Sequence, residues 1–129
     1  MADKTVVRTE AAPAPFQGAP YSQAIAANGF VYVSGQLALE PGHSRMVGAT
    51  IEEQTEQVFK NLGAILEAAG SGLDRLVKTT VFLVNLDDFQ GMNSVYAKQV
   101  GDRPPARATI EVSKLPSGAL VEIEAVALA

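Results

Sequence analysis

Arg107 stands directly after Arg103-Pro104-Pro105-Ala106, where two prolines stiffen the approach and set the start of an extended segment. A guanidinium there can make a planar, two-point contact with a carboxylate. Position alone leaves two readings open, a grip on a small anionic ligand or a structural salt bridge to an acid on a neighbouring strand. Glu122 and Glu124 flank Ile123, so in a strand both point the same way. A carboxylate in a partly dry junction can gain a raised pKa and act as a general base; the plainer reading is a pair of edge charges. Pro20-Tyr21-Ser22-Gln23 and Ser34-Gly35-Gln36 bracket an early hairpin. Tyr21 can line a pocket and hydrogen-bond a ligand, and Gly35 would let a ligand approach the backbone closely. Asn93 falls on a helix, where a lone Asn also reads as solvent surface. Phe89, Met92 and Tyr96 are assigned to the core.

Other chemistry is excluded by residue type. There are no cysteines, so disulfides, thiolate metal sites and cysteine nucleophiles are out. The one histidine, His43, sits in the loop-like stretch Glu40-Pro41-Gly42-His43-Ser44. A single histidine is a poor start for a metal site, and no G-x-S-x-G motif offers it a nucleophilic serine. Ten Lys and Arg against fourteen Asp and Glu give a net charge of −4, without basic blocks. That argues against nucleic acid as a partner. No apolar run is long enough to span a bilayer. Met1-Ala2-Asp3-Lys4-Thr5 carries no apolar signal core, and a cytoplasmic location is the resulting expectation.

The elements that must position these residues are legible. At 129 residues, 47% of them hydrophobic, the chain suits a single domain spanning residues 1–129. Thr50-Ile51-Glu52-Glu53 is a capping box. Ile51, Thr55, Val58, Leu62, Ile65, Leu66 and Ala69 then recur at helical spacing, and Gly70 supplies the stop. A second helix begins near Asp87 or Asp88, either of which can cap it. It ends before Gly101 and Pro104-Pro105. Strands are expected near Thr5–Arg8, Ser22–Ala27, Phe30–Val33, Leu76–Val84, Arg107–Ser113 and Ala119–Leu128, with Asn28-Gly29 as a hairpin turn. The fold class is α+β, a mixed β-sheet with two helices on one face.

Alternation in the last two strands predicts the faces. Ala108, Ile110 and Val112, with Val121, Ile123, Ala125 and Ala127, are expected under the helices. Arg107, Thr109 and Glu111 would share the opposite face with Leu120, Glu122, Glu124, Val126 and Leu128. That second face is too apolar for plain solvent and too charged for plain core, which suits packing against another subunit.

These residues carry a resemblance to the Rid family of reactive-intermediate deaminases, also called the YjgF-like or endoribonuclease L-PSP family. It runs along nearly the whole chain: Ala19-Pro20-Tyr21-Ser22-Gln23-Ala24, Val33-Ser34-Gly35-Gln36, Gln57-Val58-Phe59-Lys60-Asn61-Leu62, Val77-Lys78-Thr79-Thr80-Val81-Phe82-Leu83, Met92-Asn93-Ser94-Val95-Tyr96, Pro105-Ala106-Arg107 and Val121-Glu122-Ile123-Glu124-Ala125. The resemblance implies a chorismate-mutase-like two-layer sandwich and a homotrimer with sheets facing inward and interfacial active sites. It implies hydrolysis of reactive enamines and imines such as 2-aminoacrylate and 2-aminocrotonate to 2-keto acids and ammonia, with no cofactor. By the same resemblance Arg107 holds the substrate carboxylate, Glu122 activates the attacking water, and Tyr21, Ser34, Gly35 and Asn93 line the pocket. Thr109 stands where a cysteine is often found. Alternative readings are a non-catalytic trimer that binds 2-keto acids, with a chaperone-like role, and a ribonuclease or translation inhibitor; the acidic charge disfavours the ribonuclease.

Overall fold

The computed structural model of the chain describes residues 3–129. Met1 and Ala2, read above as part of a start without a signal core, lie outside the described residues. The strands are β1 (Thr5–Val7), β2 (Ala24–Ala27), β3 (Phe30–Gln36), β4 (Leu76–Leu83), β5 (Ala106–Glu111) and β6 (Val121–Leu128). They form one six-stranded sheet in the order β1-β2-β3-β6-β4-β5. Only β4 and β5 run parallel, joined through the second of two helices, α1 (Ile51–Ala68) and α2 (Phe89–Val100). Both helices pack on one face of the sheet, as an α+β fold of this pattern requires. Among the described residues no helix is long and apolar enough to cross a membrane.

Local chemistry explains the main boundaries. Asn28 and Gly29 both take positive φ, 53° and 84°, the geometry of a two-residue hairpin turn between β2 and β3. At the start of α1, Thr50 Oγ1 accepts from the Glu53 amide at 3.1 Å, and Glu53 Oε1 accepts from the Thr50 amide at 3.2 Å. Both halves of the capping box are therefore made. The start of α2 differs from expectation. A short 3-10 turn, Leu86–Asp88, precedes it, and neither Asp87 nor Asp88 caps with its side chain. Asn85 does that instead, accepting from the Asp87 amide at 2.9 Å.

The core lies between helices and sheet. Val58, Phe59, Leu62, Ile65 and Leu66 of α1 and Met92 of α2 meet Val81, Leu83, Val121 and Ile123, all fully buried. Burial of each such side chain stabilises the fold by about 1.5–3 kcal/mol.

The sheet corrects one expectation. Residues paired across strands share a face. Ile123 pairs with Val81, which pairs with Thr109; Ala125 pairs with Thr79, which pairs with Arg107. Arg107, Thr109 and Glu111 therefore lie on the helix face, with the buried Thr79, Val81 and Leu83. Glu122 pairs with Phe82, which pairs with Ile110, and this row lies on the open face. Ile110 is 45% exposed. Alternation separates two sets of side chains but does not say which is inward. At β5 the parallel register to β4 decides it. As an edge strand beside α2, β5 keeps polar side chains on its inner face because the helix covers that face only in part.

Candidate active site

The candidate residues separate into two clusters on opposite faces of the sheet. Tyr21, Ser34, Gly35 and Glu122 line one cleft of about 450 Å³, with Phe16, Leu37, Leu39 and Pro116 as its apolar walls. Asn93 and Arg107 line another of about 370 Å³, with Tyr96, Val100, Pro104 and Pro105. Thr109 lines neither of these clefts. Its Oγ1 is buried and has no hydrogen-bond partner. The expectation that one chain gathers Arg107 and Glu122 on a single face is overturned by the strand register.

The first cleft is built where β3 bends away from β6. Their register shifts between Val33 and Gln36, a bulge that re-aims the chain. Gly35 falls in this bulge. A Cβ built on Gly35 would stand 2.7 Å from Glu122 Oε2 and 2.9 Å from Glu122 Cδ. The space beside the Gly35 backbone, read from the sequence as room for a ligand, is taken up by the Glu122 carboxylate. Burial pushes the Glu122 carboxyl above its ordinary value, and the nearby Glu124 charge adds to the rise. Ser34 Oγ donates to the Ser22 carbonyl at 2.6 Å, so its proton is engaged within the fold. The Tyr21 hydroxyl accepts from the Phe16 amide at 2.6 Å while the ring stays 43% exposed.

Polar groups that were not singled out in the sequence hold these walls. The buried Gln23 amide accepts from the Thr9 amide at 2.7 Å and donates to the carbonyls of Thr9, Ala12 and Pro13 at 3.0, 3.3 and 2.8 Å. It thereby pins the segment that carries Pro13, Ala14 and Phe16 into the cleft. Asn61 of α1 donates to the carbonyls of Leu37 and Leu39, each at 3.0 Å. Gln54 accepts from the Leu120 amide at 2.9 Å. The available signal is two amide side chains, Gln54 and Asn61, seven apart on a buried stripe of α1 that is otherwise apolar except for Thr55.

In the second cleft, the Arg107 guanidinium carbon lies 4.6 Å from the ring centroid of Tyr96 and 5.5 Å from that of Phe89. Both distances suit cation–π attraction. Arg107 has no carboxylate partner; among the described residues the ion pair is Arg45 with Glu40. The structural salt bridge left open by the sequence is therefore not made within the chain. Glu111 on the same strand is engaged elsewhere, accepting from the Leu86 amide at 3.0 Å. Among the described residues no group of three or more His, Asp or Glu is placed to hold a metal ion.

The fold and these clefts define a small α+β protein with an unpaired arginine and a partly buried glutamate presented by opposite faces of one sheet. The chain belongs to the Endoribonuclease L-PSP (Rid) family, which it matches over residues 9–129. It is 48% identical over 124 residues to the RutC family protein PH0854 of Pyrococcus horikoshii, covering 96% of this chain and 97% of that one. It is 39% identical over 125 residues to the human protein named 2-iminobutanoate/2-iminopropanoate deaminase, covering 97% and 90%. Among solved structures, the Rid family protein YyfA from Yersinia pestis superposes with a TM-score of 0.92 at 46% identity, covering 98% of this chain and all of that one.

Proposed function

We propose that this chain is an enamine/imine deaminase that hydrolyses small reactive 2-imino acids, formed from enamines such as 2-aminoacrylate and 2-aminocrotonate, to 2-keto acids and ammonia. The observation that carries this reading is an arginine without an acid. Arg107 is stacked on two rings and left unpaired by its own chain, so its donor fork is free for a ligand carboxylate. The name of the human relative supports the reaction class.

The chemistry asks little of the protein. The enamine tautomerises to an imine bearing a carboxylate. Arg107 offsets that charge and orients the imine carbon. Glu122 takes a proton from water as the oxygen attacks that carbon, giving a carbinolamine. For a protonated imine this carbinolamine is neutral; the proton passes from Glu122 to its nitrogen, Glu122 takes the hydroxyl proton as the C–N bond breaks, and the ketone forms as ammonia leaves. The raised pKa of Glu122 suits this role, because a carboxylate whose pKa is raised by burial is a stronger base toward water.

Arg107 and Glu122 cannot act together from one copy, since they occupy opposite faces of one sheet. The proposed site is therefore completed by a second copy, with the β5 edge of one subunit against the Glu122 cleft of the next. A homotrimer closes that arrangement, and the open face offers it Tyr32, Val126 and Ile110. The test is ammonia release from 2-iminobutanoate generated in situ by a threonine dehydratase, with and without the protein. Wild-type protein is expected to accelerate release, and Arg107→Ala and Arg107→Lys to lose nearly all of that acceleration, because lysine cannot make the two-point contact. Wild-type rates in both variants would refute the assignment.

A further inference from the structure

An arginine used as a grip must be held before its ligand arrives, since each rotamer it samples in the free state is entropy lost on binding. Arg107 sits on an edge strand with no ion pair to hold it, so the constraint has to come from elsewhere. The Tyr96 ring is the nearer of its two aromatic neighbours, at 4.6 Å against 5.5 Å for Phe89. That ring is itself fixed on several sides. It is 5% exposed and meets the Phe59 ring edge-on, centroids 5.4 Å apart at 81°. Its hydroxyl lies 2.5 Å from Thr79 Oγ1 in the buried interior. Thr79, 1% exposed, is the β4 residue in register with Arg107 on β5. One rung of the sheet thus supplies both the arginine and the hydroxyl that anchors the arginine's platform.

A Phe–Val pair would fill the same core without burying two hydroxyls, which is costly unless they pair. What the hydroxyl pair adds is direction, setting the depth and tilt of the ring face on which the guanidinium rests. We propose that Tyr96 is the positioning residue that sets Arg107 for its ligand and that Thr79 holds Tyr96 in place. This rests on the reading of Arg107 as the carboxylate grip. Phe89 is only partly buried and has no such anchor, so it covers the guanidinium without fixing it.

The experiment measures apparent KM and kcat for 2-iminobutanoate generated in situ, in Tyr96→Leu, Tyr96→Phe, Thr79→Val, the Tyr96→Phe/Thr79→Val double variant and Arg107→Ala. Loss of the ring in Tyr96→Leu is expected to raise KM about tenfold with kcat little changed. Tyr96→Phe and Thr79→Val are each expected to raise KM about threefold, and the double variant no more than either alone, because one shared bond is removed. Should Tyr96→Leu fail to fold, the two near-isosteric variants carry the same test. A fall in kcat at constant KM, or multiplying effects in the double variant, overturns the positioning role. So do unchanged constants in every Tyr96 and Thr79 variant beside a crippled Arg107→Ala, an outcome that leaves the grip standing. An unimpaired Arg107→Ala overturns both.

Discussion

Glu122 Oε2 lies 2.7 Å from the point a Cβ would occupy on Gly35, so the carboxylate rests directly on that glycine's backbone. The offending atoms run from Oε2 to Cγ, at 2.7, 2.9 and 3.2 Å, and a half-buried side chain has limited room to withdraw. Gly35→Ala is therefore expected to turn Glu122 out of its seat. Overpacking of this kind costs about 1–3 kcal/mol, read by urea unfolding. With Glu122 as the proposed base, turnover should fall by about 10²-fold or more. Shortening the acid restores the room, so Gly35→Ala should destabilise a Glu122→Asp background much less than it destabilises wild type. Equal costs in both backgrounds would show that the clash is absorbed elsewhere.

The pH behaviour follows from the same carboxylate. Burial first, and the Glu124 charge second, raise the Glu122 pKa above its ordinary value. If Glu122 is the base, the acid limb of the kcat/KM profile should lie above the ordinary carboxylate range. Glu124→Gln should move that limb to lower pH without returning it to the ordinary value, because burial remains. The sign for stability is also set. A carboxyl with a raised folded pKa contributes stability that is complete below the unfolded pKa and is lost as pH rises through the folded one. Glu122→Gln should remove that loss and flatten the stability profile in the window between the two. Glu53 has the opposite sign. Hydrogen bonds from the Ala49 and Thr50 amides, then the Thr50 hydroxyl, lower its pKa. Its contribution is present above the unfolded pKa and is lost as pH falls through the lowered folded value. Unfolding midpoints of Glu122→Gln and Glu53→Gln should therefore meet wild type in acid and diverge from it as pH rises, Glu122→Gln upward and Glu53→Gln downward.

The division of the site between faces gives a prediction about mixtures. Arg107→Ala and Glu122→Gln are each expected to be inactive alone. Unfolded together in equal amounts and refolded, they should recover about a quarter of wild-type turnover, since each inter-subunit site then pairs an intact Arg107 with an intact Glu122 in about one case in four. A site built within one chain would recover nothing, because every copy carries one lesion.

The elements were readable because their signals are local. The capping box at Thr50, the stop at Gly70 and the Asn28-Gly29 turn each depend on residues a few positions apart, and each is made as expected. The face of Arg107 was not readable, because it depends on which strand β5 pairs with and in what register, a contact between residues 28 positions apart at Thr79 and Arg107. Its freedom from a salt bridge was hidden for the same reason. Gly35 reads in the sequence as room for a ligand beside the backbone, whereas the group that lies there is Glu122, 87 positions on. Tyr96 was correctly placed in the core. Nothing local told that its ring meets Arg107.

Asn61 offers the last test, because its amide does the work of a missing strand. Beyond Gln36 the chain has left β6, and the carbonyls of Leu37 and Leu39 would be buried without partners. Asn61 Nδ2 donates to both at 3.0 Å, while its Oδ1 accepts from Gln57 Nε2 at 3.0 Å. Leu37 and Leu39 are also walls of the Glu122 cleft, so the amide couples fold to site. Asn61→Leu keeps the branched shape, though it is bulkier, and orphans both carbonyls, at about 1–3 kcal/mol for each. Asn61→Asp is the sharper variant. An ionised carboxylate only accepts and would face two carbonyl oxygens, so its folded pKa must rise above the unfolded value. The stability of Asn61→Asp should therefore be nearest wild type at acidic pH and fall as pH rises, whereas Asn61→Leu should lose the same amount at both ends. Urea unfolding of the two variants across pH reads this directly. Parallel losses in Asn61→Asp and Asn61→Leu at every pH would mean that the carbonyls find other donors and that α1 holds the cleft wall by packing alone.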